Sequence, residues 1–177
     1  SYINLNSKQI SSVIVEPIQC TAGDIYIDVT KLKEIEFLCK KNDICFIVDE
    51  IQTGFGVTGD YWYSQKIGLD PDIIVFGKKS QICGIMVNDK YSEAINTKYR
   101  KLEVTFDGDL IDAVRSEYIL NAIEENSLLE NVQNKSKIFK KYSKDVLLEH
   151  YINKTLQATP DKTGADCFKL IILLSCG

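Results

Sequence analysis

An acid and an amine follow two short apolar runs in the middle of this 177-residue chain. Residues 46–48 lead directly into Asp49, and residues 73–76 lead through Gly77 to Lys78. Short β-branched and aromatic runs without alternation predict strands of a parallel sheet, buried on both faces. Because ligands bind beyond the carboxyl ends of such strands, we expect both side chains to face one crevice. Removing a carboxylate or an amine from water at such a rim costs free energy. The presence of both groups there therefore indicates a functional site.

The segments around these two residues carry a more specific pattern. Residues 48–59 read VDEIQTGFGVTG, residues 69–79 read LDPDIIVFGKK, and residues 76–84 read FGKKSQICG. With the spacing from acid to lysine, they resemble the cofactor-binding centre of class III, fold-type I, pyridoxal-phosphate-dependent aminotransferases. The FGKK segment is most similar to the L-lysine 6-aminotransferase subgroup. The resemblance extends over residues 13–130 and fades beyond them.

This resemblance implies pyridoxal 5'-phosphate as the cofactor and a role for each of five residues. Lys78 would be the catalytic amine, which joins the cofactor aldehyde and later moves a proton. Asp49 would lie against the pyridine nitrogen and favour its protonated, electron-withdrawing form. Gln52 resembles the family glutamine beside the ring hydroxyl, and Thr105 the threonine that reaches the cofactor phosphate across a dimer interface. Glu16 matches the glutamate of the family's EP motif, on the substrate side or behind it.

The activity that the resemblance implies is transfer of the ε-amino group of L-lysine, or of a similar ω-amine, to 2-oxoglutarate. A homodimer is implied with it. Two positions depart from the family pattern. The glutamate that tunes the choice between lysine and glutamate is replaced by Thr21, which leaves the amino donor open. The segment 105–109 reads TFDGD and would place two acids near a phosphate, where they repel it unless they point away.

Simpler interpretations of the same residues stay open. Lys78 can be an ordinary solvated lysine, and Lys79 is predicted to be one. The acidic pair at 49–50 can be a structural cap at the end of a strand. Gln52 can bond to the backbone of its own loop, and Thr105 can begin the next helix.

Two alternative functions remain beside the aminotransferase. One is a non-catalytic remnant that keeps the sheet core and the dimer contacts. The other is a nucleotidase or helicase, because residues 46–50 resemble a Walker B strand whose acids hold Mg²⁺. The sequence contains no GxxxxGK[ST] loop, which argues against the second alternative.

Composition narrows the class of protein further. The formal net charge of −4 argues against a general nucleic-acid surface. The longest apolar run, residues 170–174, is too short to cross a bilayer, so no membrane partner is expected. One histidine and no CxxC pair argue against a metal site, and free thiols fit the cytoplasm. The six cysteines are Cys20, Cys39, Cys45, Cys83, Cys167 and Cys176.

These residues must be positioned by an α/β fold, which we expect to be the large domain of a fold-type I transferase. The sheet is predicted to be mostly parallel with flanking helices, and the domain to be incomplete at both ends. Residues 1–125 are assigned to the cofactor-binding large domain, and 126–177 to a helical passage toward a small C-terminal domain with a truncated or aberrant tail. Strands are predicted at 11–18, 45–48, 73–76 and 81–87, and helices at 30–41, 61–66, 92–99, 110–125 and 128–149.

Overall fold

The computed structural model describes residues 2–91, Glu93 and residues 108–144. The strands in this part of the chain are β1 (Ser12–Val15), β2 (Ile18–Gln19), β3 (Ile25–Tyr26), β4 (Cys45–Asp49), β5 (Ile73–Phe76) and β6 (Gly84–Val87). The α-helices are α1 (Tyr2–Asn6), α2 (Val29–Lys41), α3 (Tyr63–Ile67), α4 (Leu110–Glu125) and α5 (Leu128–Lys144). Short 3-10 turns lie at Ser7–Gln9, Lys78–Ser80 and Asp89–Tyr91.

The main sheet of the described residues has the strand order β1-β4-β5-β6. The β1–β4 and β4–β5 pairs are parallel, and helices α2 and α3 lie in the two crossover connections. The predicted α/β fold with a mostly parallel sheet is confirmed. Strand β6 runs antiparallel to β5. Only residues 77–83 separate the two strands, and a connection this short cannot make a parallel crossover.

The core lies between α2 and one face of the sheet. Leu32 and Cys39 of α2 pack with Phe46 and Val48 of β4, and all four are fully buried. Side chains on the other face of β4 are only half-buried, as is the whole of β5. The prediction of strands buried on both faces is therefore wrong for the described residues, because α2 covers only one of the two faces.

Helix α2 begins one residue before its predicted start. Its N-cap is Asp28, whose carboxylate accepts from the backbone N–H of Thr30 at 2.8 Å and of Lys31 at 3.4 Å. The Thr30 hydroxyl also donates to Asp28, so Thr30 is bound by the cap residue. This hydroxyl and then the two backbone donors lower the pKa of the Asp28 carboxyl.

Other boundaries shift by a few residues. The first strand ends at Val15, before Glu16 and the buried Pro17, because proline cannot donate to a ladder. The fourth predicted strand begins only at Gly84, after the turn that contains the lysines. Other predictions concern residues outside the described part of the chain, apart from Glu93. They are the helix at 92–99, the helix end at 145–149, Thr105 and the tail 151–177.

Helix α4 was predicted by its apolar periodicity, but the periodic face does not face the described core. Ile111, Val114 and Tyr118 are 63%, 51% and 72% exposed, whereas Ser116 and Ile123 are buried. The apolar periodicity thus predicted the helix correctly but not the side of the helix that packs against the described residues. None of the described helices combines the length and apolar character that a bilayer crossing requires.

Candidate active site

The predicted site residues of the first strands meet at one edge of the sheet. Asp49 is the last residue of β4 and is paired with Val75 of β5. The backbone N–H of Glu50 donates to the Val75 carbonyl at 2.9 Å, which extends this pairing by one residue. Glu16 directly follows β1, the parallel neighbour on the other side of β4. The carboxyl ends of three parallel strands therefore present Glu16, Asp49 and the lysine segment along one rim.

Lys78 opens the tight turn that follows β5. Its backbone has φ +57°, and Gln81 at the end of the turn has φ +59°. A non-glycine residue in this left-handed region carries strain of about 1–3 kcal/mol, which is typical of functional turns. The preceding Gly77 is buried, and a Cβ there would lie 2.9 Å from the Cys83 sulfur. Glycine thus lets the chain pass close to the Cys83 side chain just before Lys78.

Lys79 differs from its neighbour in exposure and contacts. Its Nζ donates to the backbone carbonyl of Gln52, and the side chain is half-buried. Burial lowers the pKa of Lys79, the Lys78 ammonium lowers it further, and Cys20 acts in the opposite direction. The prediction that Lys79 is an ordinary solvated lysine is wrong. Consecutive side chains leave the tight turn in different directions, so one amine lies in solvent and the other against a neighbouring loop.

Asp49 and Gln52 retain polar groups that a ligand can use. Asp49 Oδ1 accepts from the backbone N–H of Ile51 at 3.0 Å, which orients the carboxylate. Within the described residues, the structure records no hydrogen-bond partner for Asp49 Oδ2 or for the Gln52 amide. A half-buried carboxylate with one oxygen available and an exposed lysine, at the ends of adjoining strands, fit a pyridine nitrogen and an aldehyde.

Glu50, next to Asp49, has a structural role. The sequence suggested a structural cap for residues 49–50 together and did not separate the two acids. Its side chain is buried and accepts from the Tyr63 N–H at 2.7 Å and from the Ser64 N–H at 2.7 Å. The hydroxyls of Ser64 and Thr53 also donate to it, at 2.6 and 2.9 Å. Glu50 therefore caps α3, whose own N-cap residue, Trp62, makes no side-chain capping bond.

Residues 51–60 form a loop, here called the glycine loop, that packs on an aromatic cluster. Phe55 meets Trp62 edge to face at a centroid distance of 5.3 Å, and Phe76 lies 5.8 and 6.0 Å from these two rings. A Cβ on Gly54 would lie 2.7 Å from the Trp62 ring and 2.9 Å from the Glu50 carbonyl. Glycine at this position lets the loop lie close to both.

Two threonines of the glycine loop provide a matched stability test. Thr58 Oγ1 is buried without a partner among the described residues, whereas the Thr53 hydroxyl donates to Glu50. We expect Thr58→Val to raise the free energy of unfolding by about 1 kcal/mol, because it removes an unpaired buried hydroxyl. Thr53→Val should lower it by about 1–2 kcal/mol. Urea denaturation measures both, and equal losses in the two variants would mean that Thr58 is in fact bonded.

Solved structures with the same arrangement of sheet and helices are aminotransferases that use pyridoxal phosphate. The lysine aminotransferase of M. tuberculosis superposes with a TM-score of 0.70 at 33% identity, over 81% of this chain and 34% of that one. The fold and the strand-end donor set thus define a transferase large domain of this type.

The sequence matches narrow the class to one family. Residues 1–156 match the class-III aminotransferases. The L-lysine-epsilon aminotransferase of Streptomyces clavuligerus is 35% identical over 144 residues, 80% of this chain and 32% of that protein. The 4-aminobutyrate aminotransferase of Dictyostelium discoideum is 37% identical over 125 residues, 70% of this chain and 25% of that protein.

The chain belongs to the class-III aminotransferase family, whose cofactor is pyridoxal phosphate. It spans about a third of the length of the lysine aminotransferases that it matches.

Proposed function

We propose that the protein moves an amino group from the ε-amino group of L-lysine, or from a similar ω-amine, to 2-oxoglutarate. The observation that carries the proposal is the placement of Asp49 and the Lys78 turn at adjoining parallel strand ends, with Gln52 bonded to that turn. Similarity to relatives named for lysine and for 4-aminobutyrate supports a donor whose amine ends a carbon chain.

Each proposed site residue has a separate task. When bound, pyridoxal phosphate supplies the electron sink for the substrate carbon. The exposed Lys78 amine would hold the cofactor covalently and then move a proton, while the Asp49 carboxylate would accept the pyridine N–H. Gln52 would hold the ring hydroxyl, and Glu16 would act on the substrate side of the rim or behind it. Thr105 would bind the phosphate from across a dimer interface; it is outside the described residues, and its role rests on the resemblance.

The wider organisation is part of the same proposal. Residues 1–125 belong to the cofactor-binding large domain, and residues 126–177 lead toward a small C-terminal domain. The active unit is a homodimer in the cytoplasm. Support for the dimer comes from the resemblance at Thr105, and support for the domain assignment comes from the position of α4 and α5 after the sheet.

Borohydride reduction of the purified protein with pyridoxal phosphate, followed by peptide mass mapping, tests the proposal. We expect a reduced adduct on Lys78, because this amine is exposed and unpaired within the described residues. Lys78→Arg should abolish the adduct. Lys90→Arg is the matched control, since Lys90 is an exposed lysine in a surface ion pair with Asp43, and it should leave the adduct unchanged.

The other outcomes of this experiment are equally informative. An adduct on Lys79 would exchange the roles of the two lysines. A folded protein that forms no adduct would contradict the proposal and favour the non-catalytic alternative. Once the adduct is established, the loss of the cofactor's visible band with L-lysine and with 4-aminobutyrate, measured separately, decides which donor is used.

A further inference from the structure

Lys79 connects the lysine turn, Lys78–Ser80, with the glycine loop. Its amino group donates to the backbone carbonyl of Gln52. The side chain also lines an apolar pocket of about 280 Å³ between the glycine loop and the α4–α5 helices. An amine in such surroundings needs a hydrogen-bond acceptor, because an unpaired buried polar group is costly. The Gln52 carbonyl supplies that acceptor, and the two groups hold each other in place.

The other end of the glycine loop is held by different side chains. Lys66 of α3 donates to the Thr58 carbonyl, and Gln133 of α5 donates to the Gly59 carbonyl at 2.6 Å. Among the hydrogen bonds of the described residues, that of Lys79 alone joins a side chain of the lysine turn to this loop. The far end of the loop is therefore held by helices α3 and α5. At the near end, where Ile51 and Thr53 bond to Asp49 and Glu50, Lys79 adds the link to the lysine turn.

We propose that Lys79 is a positioning residue, whose bond to the Gln52 carbonyl sets where the Gln52 amide lies relative to the bound cofactor ring. This inference rests on the proposed function, because Gln52 acts there beside the ring hydroxyl. Gln52 is only three residues beyond Asp49, so a shift of its backbone moves the amide directly. Lys79 is thus assigned a role through Gln52 and not a direct contact with cofactor or substrate.

The electrostatic surroundings agree with this role. The titratable groups that act on the Lys79 amine are Cys20 and Lys78, while burial is the largest influence on its pKa. Burial also raises the pKa of Cys20, which keeps this thiol protonated near neutral pH. Lys79 thus has no carboxylate partner among these groups, and its described polar contact is the Gln52 carbonyl.

The test replaces Lys79 by methionine, which fills the apolar pocket but cannot donate. We expect the dissociation constant of pyridoxal phosphate to rise about tenfold, the equivalent of one lost hydrogen bond. The midpoint pH of the bound cofactor's visible band should rise by about 0.5–1 unit, because a donor at the ring oxygen favours the deprotonated form. Lys79→Arg, which keeps a donor, should restore most of both values.

Two comparisons separate positioning from a general structural effect. Lys66→Met removes an equivalent amine-to-carbonyl bond at the far end of the same loop and should leave the midpoint pH unchanged. In a Gln52→Ala background, Lys79→Met should have no additional effect on the midpoint, since Lys79 is proposed to act through Gln52. Additive shifts in the double variant would overturn the inference.

The remaining outcomes distinguish this inference from the proposed function. A wild-type protein that binds cofactor normally, together with an unchanged Lys79→Met variant, would overturn only the role of Lys79. A folded wild-type protein that binds no pyridoxal phosphate would overturn the proposed function and this inference with it. Circular dichroism spectra of each variant confirm that differences in binding arise in folded protein.

Discussion

Replacement of Glu50 by glutamine is expected to lower the free energy of unfolding by about 2–4 kcal/mol, as hydrogen bonds to charged groups contribute about 1.5–3 kcal/mol each. The buried carboxylate accepts two backbone and two hydroxyl hydrogen bonds, all of 2.6–2.9 Å. An amide offers only one oxygen acceptor, so its NH₂ group must face the N–H of either Tyr63 or Ser64. A backbone N–H can only donate, so the one that faces the NH₂ group is left buried without an acceptor.

Urea denaturation measures this loss, and amide hydrogen exchange shows where it arises. We expect the Tyr63 and Ser64 amides to lose protection first, because they form the first turn of α3. Glu34→Gln is the matched control, since Glu34 lies exposed on α2 and should change stability by less than about 0.5 kcal/mol. A Glu50→Gln variant as stable as this control would show that the carboxylate is not the cap of α3.

Replacement of Asp49 by asparagine is expected to reduce turnover by about 10²–10³-fold with little change in stability. Asparagine keeps an oxygen for the Ile51 N–H, so the turn after β4 is retained. What is lost is the negative charge that holds the pyridine nitrogen protonated in the proposed site. Two adjacent acids are thus expected to differ when replaced: the Glu50 variant loses stability, and the Asp49 variant loses turnover.

Steady-state transamination and urea denaturation of the same Asp49→Asn preparation separate the two effects. Asp70→Asn is the control, because Asp70 is an exposed acid that pairs with surface Lys40. It should leave turnover unchanged. If Asp49→Asn lost stability in proportion to activity, Asp49 would be a structural residue, and the proposed contact with the cofactor would be wrong.

Much of the fold followed from local patterns in the sequence. The apolar runs that became β4 and β5 and the periodicity of α2 and α4 are properties of short segments, so neighbouring residues alone reveal them. The same patterns located Asp49 and the lysines at the ends of strands. The direction of β6 was not predicted, although the short connection from β5 already excludes a parallel crossover.

The exposed side of α4 shows where periodicity stops being informative. An apolar face predicts that a helix packs against something, but the identity of that partner depends on distant parts of the chain. In the described residues α4 buries Ser116 and Ile123 and leaves Ile111 and Tyr118 exposed. Thr105 stays a prediction, because it lies outside the described residues.

The sequence by itself determined the family, the strand-end placement of Asp49 and Lys78, and the cofactor that such a pair fits. Only the tertiary structure separated residues that are adjacent in sequence. It directed Glu50 into the core to cap a helix that begins 13 residues later, and it turned Lys79 toward the Gln52 carbonyl while Lys78 stayed exposed. The physical reason is that side-chain direction and burial depend on contacts between segments, which composition and spacing do not contain.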